Sequence, residues 1–260
     1  MPRQRPADAS VAPTTRPSGD VAVATMTFQS SRTFLEVLFP TADFCFARAD
    51  TLCRASIVSV QMRLKDGTSP TEIALRLHEV QHVDQDGTRL YGVYVPLMMV
   101  NDDGAFGAHR GETPIPTISC DIKTAQDHPK SWRVTASIGS EHVVELALCG
   151  LNPAEPRSLS GPDATTSTTH MSFCHTYTSG KQTGEDSEDH VFPIEAPALL
   201  ESVSSTRQSR TAHIRFSGLQ LKDPGLSATM KALAAIPVYV VEDAQVIVGR
   251  GQAGFQIMPS

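Results

Sequence analysis

The chain has 260 residues, of which 40% are hydrophobic, so it can bury a sizeable core. Its formal net charge is −6 and its Lys and Arg residues are scattered, which argues against nucleic acids and anionic membranes as partners, because both bind basic patches. No apolar stretch approaches the roughly 18 residues that a membrane-spanning helix needs.

Residues 1–24 are rich in Pro, Ala, Ser and Thr and contain almost no large apolar side chains. This composition predicts a disordered tail, followed by a single domain over residues 25–260. The tail has no apolar segment of the kind that a secretory signal needs. The five cysteines lack C-x-x-C spacing, which argues against a disulfide framework or a zinc site. We therefore expect reduced thiols and a cytoplasmic location.

Short runs that alternate apolar and polar residues dominate the rest of the chain, a pattern typical of β-strands. Turn signals separate these runs, and the Asp86-Gly87 pair between two of them predicts a hairpin. The predicted strands are Ser56–Arg63, Glu72–Val80, Leu90–Val100, Trp132–Ile138, His142–Cys149, His170–Tyr177, Ala212–Ser217 and Val238–Val248.

Helices are few in the predicted structure. One is predicted after Asp223, where apolar residues recur at helical spacing, and a shorter one near Phe34–Leu38. The Pro-, Ser- and Thr-rich segment Pro153–Thr169 is predicted to be a surface loop, and the acidic Lys181–Asp189 segment a hairpin tip. Many strands and few helices favour a strand-rich α+β domain whose sheet curls or closes, since long flat sheets leave unprotected edges.

Several short motifs follow one another in a recognisable order. They are Gly92–Pro96, Met98–Asp103, His109–Glu112, Pro114–Thr117 and, near the end, Ile236–Val241. Their order resembles that of the acetoacetate decarboxylase family, and the resemblance covers roughly residues 71–255. It implies a curved, cone- or barrel-like antiparallel sheet around a small-molecule cavity.

Two chemical groups of the resembled family are absent from this chain. In the family, a lysine after a Gly-x-Pro motif forms a Schiff base with a keto group, and its amine must be deprotonated near neutral pH. Here that position is Thr117, which cannot form an imine, and Pro96 replaces the glutamate of a Gly-x-Tyr-x-Glu strand. Lys123 shares the strand parity of Thr117 but lies about 20 Å further along, so we expect it to be exposed.

The candidate catalytic residues are His109, Arg110 and Glu112, the densest polar cluster near the expected pocket. A fixed cation polarises a substrate carbonyl or carboxylate, and histidine moves protons near neutral pH. The alternative is that Arg110 forms a structural ion pair with Glu112 or Asp121, and the sequence leaves this choice open.

Five further residues are candidates for substrate binding. Thr117, Ser119 and Asp121 alternate along one strand face, which either lines the cavity or meets solvent. Asp121 could also pair with a histidine of the catalytic cluster in acid/base chemistry. Tyr94 and Met98 share strand parity, which predicts one shared face, where they form either an apolar ligand pocket or ordinary core.

Two observations concern the neighbouring strands. Pro96 removes a backbone donor, so its strand is expected to lie at an edge or to carry a bulge. Arg76 and His78 alternate with Leu75 and Leu77, and their polar face either meets solvent or lines a cavity. HExxH, Gly-rich phosphate-loop and Gly-x-Ser-x-Gly motifs are absent from the sequence, which predicts neither a metal nor a cofactor.

The leading functional hypothesis is a cofactor-free enzyme of specialised metabolism, of lyase or isomerase type. It would cyclise or dehydrate a carbonyl-rich, polyketide- or terpenoid-like small molecule without an imine, by positioning the substrate and by acid/base or hydrogen-bond polarisation. One alternative is imine-independent decarboxylation of a β-keto acid, and another is a non-catalytic small-molecule binding protein. The oligomeric state is open, with a homo-oligomer among the alternatives.

Overall fold

The computed structural model describes residues 18–84, 86–101, 115–155, 171–176, 188–193 and 198–253. Strands predominate in this part of the chain, and two helices accompany them. The strands are β1 (Ser18–Ser31), β2 (Phe44–Phe46), β3 (Leu52–Arg63), β4 (Thr71–Val83), β5 (Arg89–Val100), β6 (Thr117–Ser119), β7 (Asp121–Ala125), β8 (Ser131–Ile138), β9 (Glu141–Cys149), β10 (Asn152–Pro153), β11 (Met171–Thr176), β12 (Glu188–Pro193), β13 (Ala198–Gln208), β14 (Thr211–Phe216) and β15 (Val240–Ala253). The helices are α1 (Arg32–Glu36) and α2 (Pro224–Ala234).

Most of these strands belong to one large sheet. Its order is β10-β13-β15-β1-β3-β4-β5-β11-β12, with β2 beside β4 and β6 beside β5. The sheet is mixed rather than purely antiparallel, because β6 and β11 both run parallel to β5. A second, antiparallel sheet has the order β14-β9-β8-β7. The predicted strand-rich α+β architecture is confirmed, with a large sheet that forms an open path rather than a closed barrel among the described residues.

Local sequence signals placed most elements correctly. All eight predicted strands are present, and the Asp86-Gly87 hairpin joins β4 to β5 with Gly87 at a φ of 84°. Both predicted helices are present, and Asp223 caps α2 by accepting the backbone N–H of Leu226 at 3.0 Å. Neither helix is long and apolar enough to cross a membrane. Most of the predicted loop and hairpin tip, over residues 156–170 and 177–187, lies outside the described residues.

The predicted end of a disordered tail at residue 24 is wrong. β1 begins at Ser18 and pairs with β15 on one side and with β3 on the other. Val21 and Val23 are almost completely buried. Small apolar residues suffice in a central strand, because the neighbouring strands supply the larger side chains. The alternation of Val21 and Val23 with smaller residues was overlooked because the segment contains so few large apolar residues. Residues 1–17 lie outside the described part of the chain.

The large sheet has buried side chains on both faces. One face, here called the core face, carries Ile57, Leu75 and Leu77. It packs against the second sheet and α2 through side chains such as Leu146 and Met230, and together they form the main hydrophobic core. Burial of these groups is the principal stabilising contribution to the domain.

The opposite face, here called the Glu72 face, carries Glu72 and Ala74 of β4 together with Val58 of β3 and Met98 of β5. Its apolar residues are buried in two separate clusters, one around Val58 and one around Met98. Glu72 is only 2% exposed. A titratable side chain is therefore enclosed on this face, next to apolar surroundings.

A bulge at Pro96 decides which residues of β5 reach which face. The pairing of β5 with β4 shifts register there, which confirms the prediction made for this proline. Tyr94 pairs with Leu77 of the core face, whereas Met98 pairs with Ala74 of the Glu72 face. The prediction that Tyr94 and Met98 share one face is wrong, because the additional residue reverses the alternation beyond it.

Candidate functional site

Four polar side chains lie in a row along the Glu72 face of the large sheet, over about 20 Å of strand from Glu72 to His78. β4 supplies Glu72, Arg76 and His78, and β3 supplies Ser56, which pairs with Arg76. The residues that alternate with them on β4 point into the core. Since β4 has β3 and β5 on its two sides, these four side chains lie away from the sheet edges. We call them the Glu72 cluster.

Glu72 is buried, and its Oε1 atom makes no hydrogen bond within the described part of the molecule. Burial raises the pKa of Glu72 to about 8, against a smaller opposing effect of the Arg76 guanidinium. The carboxyl group is therefore mostly protonated at neutral pH and exchanges its proton close to physiological pH, as a general acid or base must.

Arg76 lies four residues after Glu72 on the same face of β4, and its positive charge acts on the Glu72 carboxyl group. Burial lowers the pKa of Arg76 to about 10, and the Glu72 carboxyl acts in the opposite direction. Arg76 is therefore still protonated at neutral pH. A fixed cation in a low-dielectric environment stabilises an oxyanion far better than a cation in water does.

His78 and Ser56 form a hydrogen-bonded pair across β4 and β3, with 2.8 Å between Nε2 and Oγ. Burial, followed by the positive charges of Arg76 and Arg54, lowers the pKa of His78 to about 3. The ring is therefore neutral at physiological pH. Because a general base works best with a pKa near the operating pH, this pair is suited to positioning rather than to activating a serine nucleophile.

Ion pairs border the cluster next to His78. The Nε of Arg54 lies 2.8 Å from Glu242 Oε2, and its Nη1 lies 3.6 Å from Glu79 Oε1. Gln29 donates from Nε2 to Glu242 Oε1 at 2.6 Å. Glu79 has a φ of 56° where β4 shifts register against β5, a conformation uncommon outside glycine. Bulges and backbone strain of this kind concentrate at functional sites.

Thr117, the position of the lysine in the resembled family, lies on the same face as the Glu72 cluster. It pairs with Met98, which pairs in turn with Ala74, the residue midway between Glu72 and Arg76 on β4. Two strand spacings separate Thr117 from Ala74, a distance of about 10 Å. The half-buried Thr117 and the cluster therefore belong to one side of the sheet.

Of the other predicted binding residues, Met98 is buried on the Glu72 face next to Thr117. The remaining three lie elsewhere or are exposed. Tyr94 is buried on the core face, where its ring contacts Phe44. Ser119 is exposed at the end of β6, and Asp121 opens β7 in the second sheet. Asp121 is exposed and forms an ion pair with Lys123 at 2.7 Å. The strand interruption after Ser119 therefore separates Asp121 from the face that holds Thr117.

The lysines of the described residues are all exposed. An imine-forming lysine needs an amine that burial or a neighbouring cation holds deprotonated. The side chain of Lys123 is 74% exposed, which confirms the prediction made for it. The exposed lysines are Lys65, Lys123, Lys130, Lys222 and Lys231.

The predicted catalytic residues His109, Arg110 and Glu112 lie outside the described residues, so their roles stay predictions. Sequence reasoning missed Glu72 and Ser56, although Glu72 has the same strand parity as the polar residues noticed on β4. Within the described residues, His, Cys, Asp and Glu do not gather in threes as a metal site would require.

Solved structures share this architecture. An acetoacetate decarboxylase-like enzyme from Sphingomonas wittichii RW1 matches with a TM-score of 0.55 and 14% identity, over 97% of this chain and 99% of its own. Acetoacetate decarboxylase from Legionella pneumophila matches with a TM-score of 0.60 and 11% identity, over 96% and 93%. The enduracididine biosynthesis enzyme MppR, complexed with pyruvate, matches with a TM-score of 0.55 and 11% identity, over 95% of this chain and 93% of its own.

Comparison of sequences finds no such relatives: no protein-family profile and no curated protein matches the chain. Each match covers nearly the whole of this chain and of the matched structure, so the similarity extends over the entire domain rather than over one shared motif. The chain therefore has the acetoacetate decarboxylase-like fold, and the resemblance drawn from its short motifs is confirmed at the level of fold.

Proposed function

We propose that this chain is an enzyme that works without an imine and uses the Glu72 cluster for acid/base chemistry on a small carbonyl-containing molecule. The observation that carries the proposal is the buried carboxyl group of Glu72, whose pKa the Arg76 cation affects, on the face that also holds Thr117. A titrating group enclosed on this face favours an enzyme over a non-catalytic binding protein.

The reaction that suits these groups begins with enolisation. As a carboxylate, Glu72 removes a proton from the carbon beside a carbonyl and becomes a carboxylic acid. Arg76 stabilises the negative charge that moves onto the carbonyl oxygen. In a dehydration, the acid returns its proton to a β-hydroxyl group, which leaves as water while the enolate electrons form a carbon–carbon double bond.

Cyclisation follows from the same first step. The enolate carbon attacks a second carbonyl group of the same substrate, and Glu72 protonates the new alkoxide. A site that holds a flexible substrate with the enolate carbon in contact with the carbonyl carbon accounts for much of the rate acceleration, because binding has already excluded the unproductive conformers. One titrating carboxyl group and one fixed cation are sufficient for both reactions.

Decarboxylation of a β-keto acid is a second candidate, and the fixed charge of Arg76 favours it. The bond to the carboxylate breaks, carbon dioxide leaves, and the electron pair forms an enolate at the neighbouring carbonyl. Glu72, protonated at neutral pH, then delivers a proton to the enolate carbon. This route needs no imine, because the β-carbonyl group already accepts the electrons.

The test compares the metabolites of cells that express the wild-type chain, Glu72→Gln, Asp121→Asn or no protein. Glutamine has the shape of a protonated carboxyl group but cannot transfer its proton, so the product should disappear. Asp121→Asn changes an exposed carboxylate and should retain the product. A product that is isomeric with its precursor, or lighter by one water, supports the proposal. Loss of carbon dioxide supports the second candidate, and unchanged metabolites in wild-type cells overturn both.

A further inference from the structure

A second group of polar side chains lies on the Glu72 face, across the strands beside the Glu72 cluster. β1, β15 and β13 are neighbours in the large sheet, and each contributes two of these side chains. Five carry hydroxyl or amide groups, and one carries a carboxylate. We call these six residues the Thr27 patch: Thr25, Thr27, Asp243, Gln245, Thr206 and Gln208.

The strand register joins the Thr27 patch to the Glu72 cluster. Directly opposite residues of neighbouring strands share a face of the sheet. Thr27 pairs with Ser56 of the cluster on one side and with Asp243 on the other. Two residues away on β1, Thr25 pairs with Gln245. The patch therefore begins one strand spacing from Ser56, at a distance of about 5 Å, on the same face.

β13 completes the patch on the far side of β15. Gln208 pairs with Gln245, and its Nε2 donates to Asp243 Oδ1 at 3.0 Å. Thr206 lies two residues before Gln208, where the pairing is regular, and therefore on the same face. The patch covers about 10 Å across the strands and about 13 Å along them, which is enough for part of a small molecule.

The patch is enclosed rather than solvated. Thr206 is 5% exposed and Gln245 is 7% exposed, and the other four residues are half-buried. The Oγ1 atom of Thr206 makes no hydrogen bond within the described part of the molecule. Buried polar groups normally have partners, because each missing partner destabilises the fold. An enclosed polar surface with an unused hydroxyl group is suited to binding a ligand.

The chemistry of the patch selects a neutral ligand with hydroxyl groups. A carboxylate only accepts hydrogen bonds, so Asp243 requires a donor such as a hydroxyl group. The threonine hydroxyls and the glutamine amides both donate and accept, as the oxygen atoms of a polyol require. The charge of Asp243 repels phosphate and carboxylate groups, and the patch contains no lysine or arginine that would bind them.

We propose that the Thr27 patch binds a polyhydroxylated, uncharged part of the substrate while the substrate carbonyl lies at Arg76. This inference rests on the proposed function, because it names the substrate class of the same site. Arg76 pairs with Ser56, and Ser56 pairs with Thr27, so two strand spacings, about 10 Å, separate Arg76 from the patch. A hydroxylated carbonyl compound spans that distance. Such a compound also supplies the β-hydroxyl group that leaves as water in the dehydration.

Steady-state kinetics tests the assignment with the precursor that accumulates in cells expressing Glu72→Gln. Thr27→Val keeps the shape of the side chain but removes its hydroxyl group, so KM should rise about 3–10-fold, the effect of one hydrogen bond, while kcat stays unchanged. Thr27→Ser keeps the hydroxyl group and should keep the wild-type KM. Thr135→Val is the matched control, because it changes a half-buried threonine of the second sheet that pairs with Lys123 and Glu145.

Two further measurements test the ligand class. Asp243→Asn retains an acceptor for a hydroxyl group, so KM should rise by less than about tenfold. A rise above about 100-fold would assign a cationic ligand and overturn the neutral class. Mass spectrometry of the precursor in deuterated solvent should find several exchangeable hydrogens, and a precursor without them overturns the inference.

The outcomes separate this inference from the proposed function. Thr25→Val repeats the test at a second hydroxyl group and should also raise KM. If Glu72→Gln abolishes the product while Thr27→Val and Thr25→Val keep the wild-type KM, the inference fails and the proposed function stands. Unchanged metabolites in wild-type cells overturn the proposed reaction and this substrate with it.

Discussion

The protonation of Glu72 makes the stability of the fold depend on pH, and one substitution isolates the effect. Its pKa is about 8 in the folded protein, against an ordinary value of 4.5. Between these values the folded protein holds a proton that the unfolded chain has released. The stability from this proton is complete below pH 4.5 and is lost as the pH rises to 8. The two pKa values differ by 8 − 4.5, or about 3.5, which corresponds to about 5 kcal/mol in the free energy of unfolding.

Glu72→Gln resembles the protonated form at every pH and does not titrate. Its free energy of unfolding relative to the wild-type chain should therefore rise with pH, by about 1.4 kcal/mol per unit between pH 4.5 and 8, and then become constant. Urea unfolding at a series of pH values measures this difference. Asp121→Asn, which changes an exposed carboxylate in the second sheet, serves as the control variant.

His78 acts in the opposite direction over a lower pH range. Its pKa falls from 6.5 to about 3 on folding, so its contribution to stability is present above pH 6.5 and is lost as the pH falls. In the wild-type chain the two effects oppose each other between pH 4.5 and 6.5. Above pH 6.5 the effect of His78 is constant, so between pH 6.5 and 8 the loss of stability reflects Glu72 rather than His78. Over these 1.5 pH units the free energy of unfolding should fall by about 2 kcal/mol. If Glu72→Gln and wild-type stabilities stay parallel from pH 5 to 8, Glu72 is not protonated in the folded state and the reasoning fails.

Borohydride reduction in the presence of acetoacetate should leave every lysine unmodified, because Thr117 cannot form an imine and the described lysines are exposed. Peptide mass spectrometry measures this, and a stoichiometric adduct on one lysine would contradict it. Deleting residues 1–24 should destabilise the domain by about 3–6 kcal/mol more than deleting residues 1–17, since only the longer deletion removes the buried Val21 and Val23. Equal melting temperatures would show that this part of β1 is dispensable. Asp223→Ala should cost about 1 kcal/mol in urea unfolding by removing the cap of α2, and an unchanged midpoint would rule out the cap's contribution.

Local patterns predicted most of the strands because alternation and turn chemistry are properties of short segments. The Asp86-Gly87 turn and the cap at Asp223 are examples in which a few neighbouring residues decide the outcome. β1 was missed because its burial depends on β3 and β15, which are distant in sequence. β13 was missed because Ala198–Gln208 is rich in serine and lacks a clear apolar alternation.

The site was harder to predict than the fold, for two physical reasons. A bulge shifts every later side chain to the other face, so parity across Pro96 misplaced Tyr94 relative to Met98. A polar strand face meets solvent or is enclosed according to what packs over it, and this is a tertiary property. The alternation at Arg76 and His78 was visible, but the burial that raises the pKa of Glu72 was not.

The catalytic role of Glu72 is tested most directly by the rate of the reaction that the metabolite comparison identifies. Purified wild-type chain, Glu72→Gln and Asp121→Asn are assayed with that substrate across neutral pH. Glu72→Gln should lower kcat by about 10²–10⁴, the usual range for a lost general acid or base, while Asp121→Asn keeps its activity. Wild-type turnover by folded Glu72→Gln would contradict the account, because the proton transfer would then belong to another group.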